Sequence, residues 1–293
     1  MLTPARRFAG RGRAALCALG ALAASAALGG CPGSKVGPLG GSGGAASGPD
    51  EIEKRNYEAV LDDALCPCGA AHTLRTCLVS HADCPSRVAA GKMARRLVSD
   101  GLPRTEIVES IAKRFAAKPM AVEVKEAPCK GAPAETARVT IVEFADFECP
   151  HCKAAAELWK PLIERFPAAL RVCFKNYPLP SHPNAEIAAR AAIVAGRAGK
   201  FWEMHDVIFE HQTELSVDML LTLARSLGFE DDPFLTEMTA ETTRARVAAD
   251  KDEGDLVGVS STPTLFINGI KFTERRRVDV LAAWVEDALA AHP

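Results

Sequence analysis

Four consecutive residues, Cys149-Pro150-His151-Cys152, carry the strongest chemical signal in this 293-residue chain. Two thiols at C-x-x-C spacing can close a small disulfide ring, and only the thiolate form attacks another disulfide. The residues just before them, Val139-Thr140-Ile141-Val142-Glu143-Phe144-Ala145, are apolar and rich in β-branched side chains, as in a strand buried on both faces of a sheet. The residues after them, Lys153–Phe166, start Ala-rich and predict a helix, which Pro161 should bend. Cys149 therefore falls at a helix N-terminus, where unpaired N–H groups and the helix dipole favour a negative charge. Cys152 falls one turn further in, shielded from solvent. His151 lies between them and, when charged, would stabilise the Cys149 thiolate. Half of a zinc site is the competing reading of the pair, and the strand-to-helix context speaks against it.

The surrounding elements follow from periodicity and turn chemistry. Leu170–Asn176 predicts a second strand, with Leu170, Val172 and Phe174 facing inward. Residues 185–250 read as helices, with Phe201 and Trp202 in their core. His182 and His205 read as a helix-start and a core residue rather than ligands, since no Cys/His cluster surrounds them. In Thr262-Pro263-Thr264-Leu265-Phe266-Ile267-Asn268-Gly269-Ile270-Lys271-Phe272, the Asn-Gly pair between apolar runs predicts a type I′ hairpin. Residues 277–290 predict a last helix with Val278, Leu281, Trp284, Val285 and Leu289 on its core face.

Over residues 128–293 this order of elements resembles the DsbA-like branch of the thioredoxin superfamily. The blocks that carry the likeness are VTIVEFADFECPHC, KNYPLPSHPNAEIAARAA, KFWEMHD and GVSSTPTLFINGI. The resemblance implies an α/β, thioredoxin-like fold with a helical insertion, and a thiol:disulfide oxidoreductase that introduces disulfides into exported proteins. It implies that Cys149 is the attacking thiol of the Cys149-Pro150-His151-Cys152 site, that Cys152 resolves the mixed disulfide, and that Pro263 is a cis-proline. Thr262 would then expose backbone groups beside the sulfurs, where an extended substrate could pair. Glu143, six residues before Cys149, matches the family's buried acid that assists proton transfer at the resolving cysteine. No cofactor beyond a redox-active Cys149–Cys152 disulfide and no metal is expected. The implied partners are exported proteins with cysteines and a quinone-linked membrane thiol oxidase that restores the disulfide. A reductase or isomerase role is the alternative within the same chemistry.

The N-terminal residues look like an address. Arg6, Arg7, Arg11 and Arg13 precede the apolar run Ala14–Leu28, as in a signal peptide over residues 1–30. Leu28-Gly29-Gly30-Cys31 looks like a bacterial lipobox, with Cys31 as the acylated residue. Residues 31–50 form a Gly/Pro/Ser-rich tether, since 13 of the 19 residues from 32 to 50 are of those types. These features predict a lipid-anchored protein of the bacterial periplasm or cell envelope, where disulfides persist. Without the four leading arginines the chain carries 31 basic and 37 acidic residues, a balance that argues against a nucleic-acid partner.

Residues 51–120 predict a small Cys-rich helical module ahead of the domain at 121–293. Helices are expected at 51–65, with Ile52, Ala59, Val60, Ala64 and Leu65 on one side, at 87–99, and from an N-cap at Thr105 onward. The module weakly resembles the three-helix domain of CcmH-type cytochrome c maturation proteins through the stretch GLPRTEIVESIAKRFA, but it has Cys66-Pro67-Cys68 where that family has C-x-x-C. Cys66, Cys68, Cys77 and Cys84 suit two structural disulfides, for which three pairings are open, or a thiolate metal site. A binding module for apocytochrome or metal, built on residues 51–120, is thus the function from a different class. Of the 10 cysteines, Cys17 lies in the signal segment, and Cys129 and Cys173, both in the thioredoxin-like unit, are expected to pair.

Overall fold

The structure, a computed structural model, describes residues 49–291. The signal segment, Cys31 and nearly all of the tether lie outside the described residues. Helix α1 (Pro49–Asp63) begins two residues inside the stretch read as tether. Asp50 and Glu51 complement the dipole in the first turn. The helix also ends earlier than its apolar pattern suggests. Leu65 leaves it to bridge Thr73 and stays 68% exposed, and Ile52 is exposed as well.

A short helix that periodicity did not reveal, α2 (Leu74–Ser80), follows and is capped by the Thr73 hydroxyl, which accepts from the Thr76 N–H. Helices α3 (Arg87–Ser99) and α4 (Arg104–Ala116) complete the group. Thr105 lies inside α4 and does not cap it; Pro103 holds the cap position with an extended backbone. A proline there gives up no N–H that the helix could use. Val60, Leu74, Met93, Leu97, Ile107 and Ile111 fill the core of these four helices. Disulfides Cys66–Cys77 and Cys68–Cys84 staple the loops around α2.

The second part is a mixed five-stranded sheet in the order β1-β3-β2-β4-β5. Its strands are β1 (Cys129–Gly131), β2 (Val139–Ala145), β3 (Leu170–Asn176), β4 (Thr264–Ile267) and β5 (Ile270–Lys271). Helix α5 (Pro150–Arg165) crosses over from β2 to β3, so the two run parallel, Val139 opposite Leu170 and Ala145 opposite Asn176. The helix is continuous through Pro161. Alternation along β2 sends Val139 and Ile141 to a core under α5 with Trp159 and Leu162, and Val142 and Phe144 to the opposite face with Tyr177 and Phe266. Asn268 and Gly269 both have positive φ, as a type I′ turn requires, and join β4 to β5.

Five helices fill the insertion between β3 and β4: α6 (Ala185–Arg197), α7 (Phe201–Glu210), α8 (Val217–Ser226), α9 (Asp231–Thr239) and α10 (Glu241–Leu256). Small side chains let them approach closely, as the buried Ala188, Ala191, Ala192 and Ala195 of α6 show. At Gly254 of α10 a Cβ would stand 2.7 Å from the Tyr177 ring, so only glycine fits there. Helix α11 (Val278–Ala291) closes the chain over the sheet.

The helical group packs against the sheet unit through a buried ionic contact. Arg114 of α4 lies 3.7 Å from the centroid of the Trp284 ring and 2.9 Å from Asp287, and Arg96 of α3 pairs with Glu274 at 2.8 Å. Across the sheet, Cys129 and Cys173 face each other in register and are joined as a disulfide. That bond closes a loop of 44 residues. In a chain-entropy account its loss costs about 4 kcal/mol. The double variant C129S/C173S should therefore unfold at a clearly lower urea concentration than the native chain, with the m-value showing whether the denatured state has also expanded.

Candidate active site

The end of β2 and the start of α5 set the site. Cys149 is the N-cap of α5, with extended backbone angles and 5% exposure. Pro150 follows at the first helical position, and His151 is exposed. Cys152 lies one turn in, fully buried. Both thiols are free.

The cis peptide Thr262–Pro263 sits just before β4, and the Thr262 carbonyl lies 3.3 Å from the Cys149 sulfur. Glu143 lies on the β2 face below α5, 1% exposed, where it accepts a 2.8 Å hydrogen bond from the Trp159 indole. Its other carboxyl oxygen has no partner. The sequence-derived residues Cys149, His151, Cys152, Thr262, Pro263 and Glu143 are thus drawn from three elements separated in the chain but adjacent in the fold.

The two thiols differ in acidity. Cys149 is lowered to about 5, chiefly because the Cys152 side chain donates a hydrogen bond to its sulfur; Thr262 and the N–H groups of Cys152 and His151 add to the effect. Burial opposes it without overcoming it. Cys152 is pushed far up by burial, by its bond to Cys149 and by the nearby Glu143 carboxylate. Burial raises Glu143 to about 8, against the pull of Trp159 and Lys130. At neutral pH the site therefore holds one thiolate, one thiol and a carboxyl able to exchange a proton. Such a set can carry out thiol–disulfide exchange.

Two residues that hold this loop were not singled out from the sequence. Asp146, 1% exposed, accepts from the Glu148 N–H at 2.7 Å, the Leu179 N–H at 2.7 Å and His182 at 2.8 Å. Gln212 donates to the carbonyls of Phe147 and Cys149 at 2.7 and 3.0 Å. Asp146 stands inside a quoted block, and its acid at the end of a buried strand was the available clue. Gln212 left none, because its contacts span 63 and 65 residues. His182 therefore does more than start a helix, since it is tied to the active loop. His205 is fully buried among Phe147, Phe174, Trp202 and Phe209, and burial lowers its pKa.

The four module cysteines also come together. Sulfurs of Cys66, Cys68 and Cys84 lie within 4.8 Å of one another, as do the ligand atoms of Cys66, His72 and Cys77. Tied as disulfides, these sulfurs offer no thiolate to a metal.

Fold and site together define a dithiol protein built on a thioredoxin-type sheet. A family model described as thioredoxin matches residues 128–287, more than half of the chain, and the chain belongs to that family. The Na(+)/H(+) antiporter NhaA 1 of Salinispora arenicola is 40% identical over 155 residues, which cover 53% of this chain and 24% of the antiporter. NhaA of Herminiimonas arsenicoxydans is 35% identical over 135 residues, 46% of this chain and 21% of that protein. The chain spans about a quarter of the length of these curated relatives. Among solved structures, oxidised BdbD from Bacillus subtilis shares the fold with a TM-score of 0.51 at 24% identity, covering 57% of this chain and 95% of BdbD. Wolbachia pipientis α-DsbA1 also scores 0.51, at 16% identity, covering 58% and 95%.

The acidity pattern has measurable consequences. Thiolate absorbance of the reduced chain should titrate with a midpoint near pH 5 and vanish in C149S. An unfolded cysteine has a pKa of about 8.5, so between about pH 5 and 8.5 the folded, reduced chain binds fewer protons than the unfolded one. Its stability relative to the disulfide form should rise from about pH 5 to a maximum near 8.5 and fall again above it, where an unfolded Cys152 ionises and the folded one does not, as read by urea unfolding of both forms. Glu143 works in the opposite sense. Its folded pKa of about 8 exceeds an unfolded value of about 4.3, so its contribution is lost as pH rises from 4.3 to 8. E143Q should remove that loss and unfold at higher urea than the native chain at pH 8.

Proposed function

We propose that this chain is an extracytoplasmic thiol:disulfide oxidoreductase that introduces disulfides into exported proteins. The observation that supports it best is the opposed acidity of the two thiols, with Cys149 lowered and Cys152 raised. A thiolate of low pKa is a good leaving group, which favours handing the disulfide on to a client.

In the oxidised chain, a client thiolate attacks the Cys149 sulfur and the Cys149–Cys152 bond breaks. Cys152 departs with the electron pair and takes up a proton, which the buried Glu143 carboxyl, whose charge acts on Cys152, supplies. A second client thiolate then attacks the client sulfur of the mixed disulfide and expels Cys149 as a thiolate. The client has lost two electrons and the chain has gained them. Thr262, beside Cys149, offers backbone groups against which an extended client can lie. A quinone-linked membrane thiol oxidase would restore the disulfide. The lipobox-like Leu28-Gly29-Gly30-Cys31 and the tether after it would hold the domain at a membrane surface.

The deciding measurement is the potential of the Cys149–Cys152 couple against glutathione. A value between about −120 and −180 mV supports donation of disulfides, and one near about −270 mV turns the assignment to reduction. C149S and C152S should each abolish oxidation of a dithiol peptide, whereas C66S/C77S should retain it. Activity surviving in C149S would refute the assignment.

A further inference from the structure

The turn between β5 and α11 passes beside the start of α5. Glu274, Arg275 and Arg276 line a cavity of about 340 Å³ together with His151, Ala154, Ala155 and Leu158. The negative charge in this cavity is already matched. The Glu274 side chain is 3% exposed, is gripped by Arg96 through two hydrogen bonds of 2.9 and 3.0 Å, accepts from the Trp284 indole and has Arg114 at 3.9 Å. Arg277, at the other end of the turn, pairs with Asp100 at 2.8 Å and with Asp279 at 2.6 Å.

Arg275 and Arg276 lie between these two anchors. Both are exposed, and neither has an ion pair among the described residues. Their charge stands next to His151, two residues from Cys149. The field of Arg276 reaches as far as the buried Glu143. Two unmatched guanidinium groups over an apolar wall of alanine and leucine form a site for a carboxylate on a short aliphatic stem.

We propose that this cavity is a subsite for an acidic side chain next to the reacting cysteine of a client, so that acid-flanked cysteines are the preferred substrates. The proposal rests on the oxidoreductase reading above. It also gives the four-helix group a part in the reaction. Arg96 and Asp100, at the end of α3 and just beyond it, fix the turn from outside the sheet unit and act as positioning residues.

The test compares kcat/KM for oxidation of dithiol peptides that differ only in a Glu or a Lys beside one cysteine. The native chain should favour the Glu peptide about tenfold at low ionic strength, and the preference should shrink in salt. R275Q/R276Q should abolish the preference; both side chains are exposed, so the fold tolerates the change. Comparing the Glu/Lys ratio of variant and native chain cancels the peptides' own difference in thiol pKa. R96M should narrow the ratio without moving the Cys149 thiolate titration. A Glu/Lys ratio that is the same for R275Q/R276Q as for the native chain would overturn the subsite alone. Failure to oxidise either peptide would overturn the parent reading, and the subsite with it.

Discussion

Two sulfurs one helical turn apart are held here in opposite protonation states, and much of the structure around them follows from that demand. A thiolate needs donors. Cys149 obtains them from the first N–H groups of α5 and from the Cys152 thiol beneath it. A thiol that resists ionisation needs burial, and Cys152 obtains it from the insertion helices packed over the end of the sheet. The helix start must therefore coincide with the end of a central strand, and a second body of helices must close over it. The β2–α5–β3 crossover meets the first requirement and the insertion between β3 and β4 meets the second.

The buried carboxyl follows the same logic. Placing an acid at 1% exposure with one oxygen unpaired costs stability and raises its pKa. Trp159 donates to the other oxygen and fixes its orientation on the same face as the core of α5. Such a group contributes nothing to packing that glutamine would not. In the proposed exchange a pKa of about 8 would let it give or take a proton near neutrality beside the buried Cys152 thiol.

What the sequence made legible was whatever short-range chemistry decides. Asn268-Gly269 announced its turn because both residues must adopt positive φ, and β2 announced itself by the β-branched run Val139-Thr140-Ile141-Val142. Cys149 at a helix N-terminus followed from the strand and the helix on either side. The misjudged points depend on context. Leu65 continues an apolar pattern but leaves the helix to bridge Thr73, and Thr105 looks like a cap in a helix that already starts at Arg104. Helix α2 is too short for a periodic signal; a disulfide from its middle residue Cys77 to Cys66 and another, Cys68–Cys84, between the loops on either side hold it in place. The tethers supplied by Asp146 and Gln212 are hydrogen bonds between segments far apart in sequence, which no local pattern reports.

The contact between the helical group and the sheet unit is made where chemistry is near, and its form matters. An apolar interface would hold the two parts together without specifying the turn between β5 and α11. The observed contact spends its polar groups on that turn, since Arg96 takes both oxygens of Glu274 and Asp100 takes Arg277. A two-point fork resists rotation of the carboxylate as well as its translation. The backbone between the two anchors is then constrained on both sides, and the residues it carries face the His151 end of α5. In the proposed exchange, a Cys-rich unit distant in sequence from Cys149 and Cys152 would thus shape the surface a client meets.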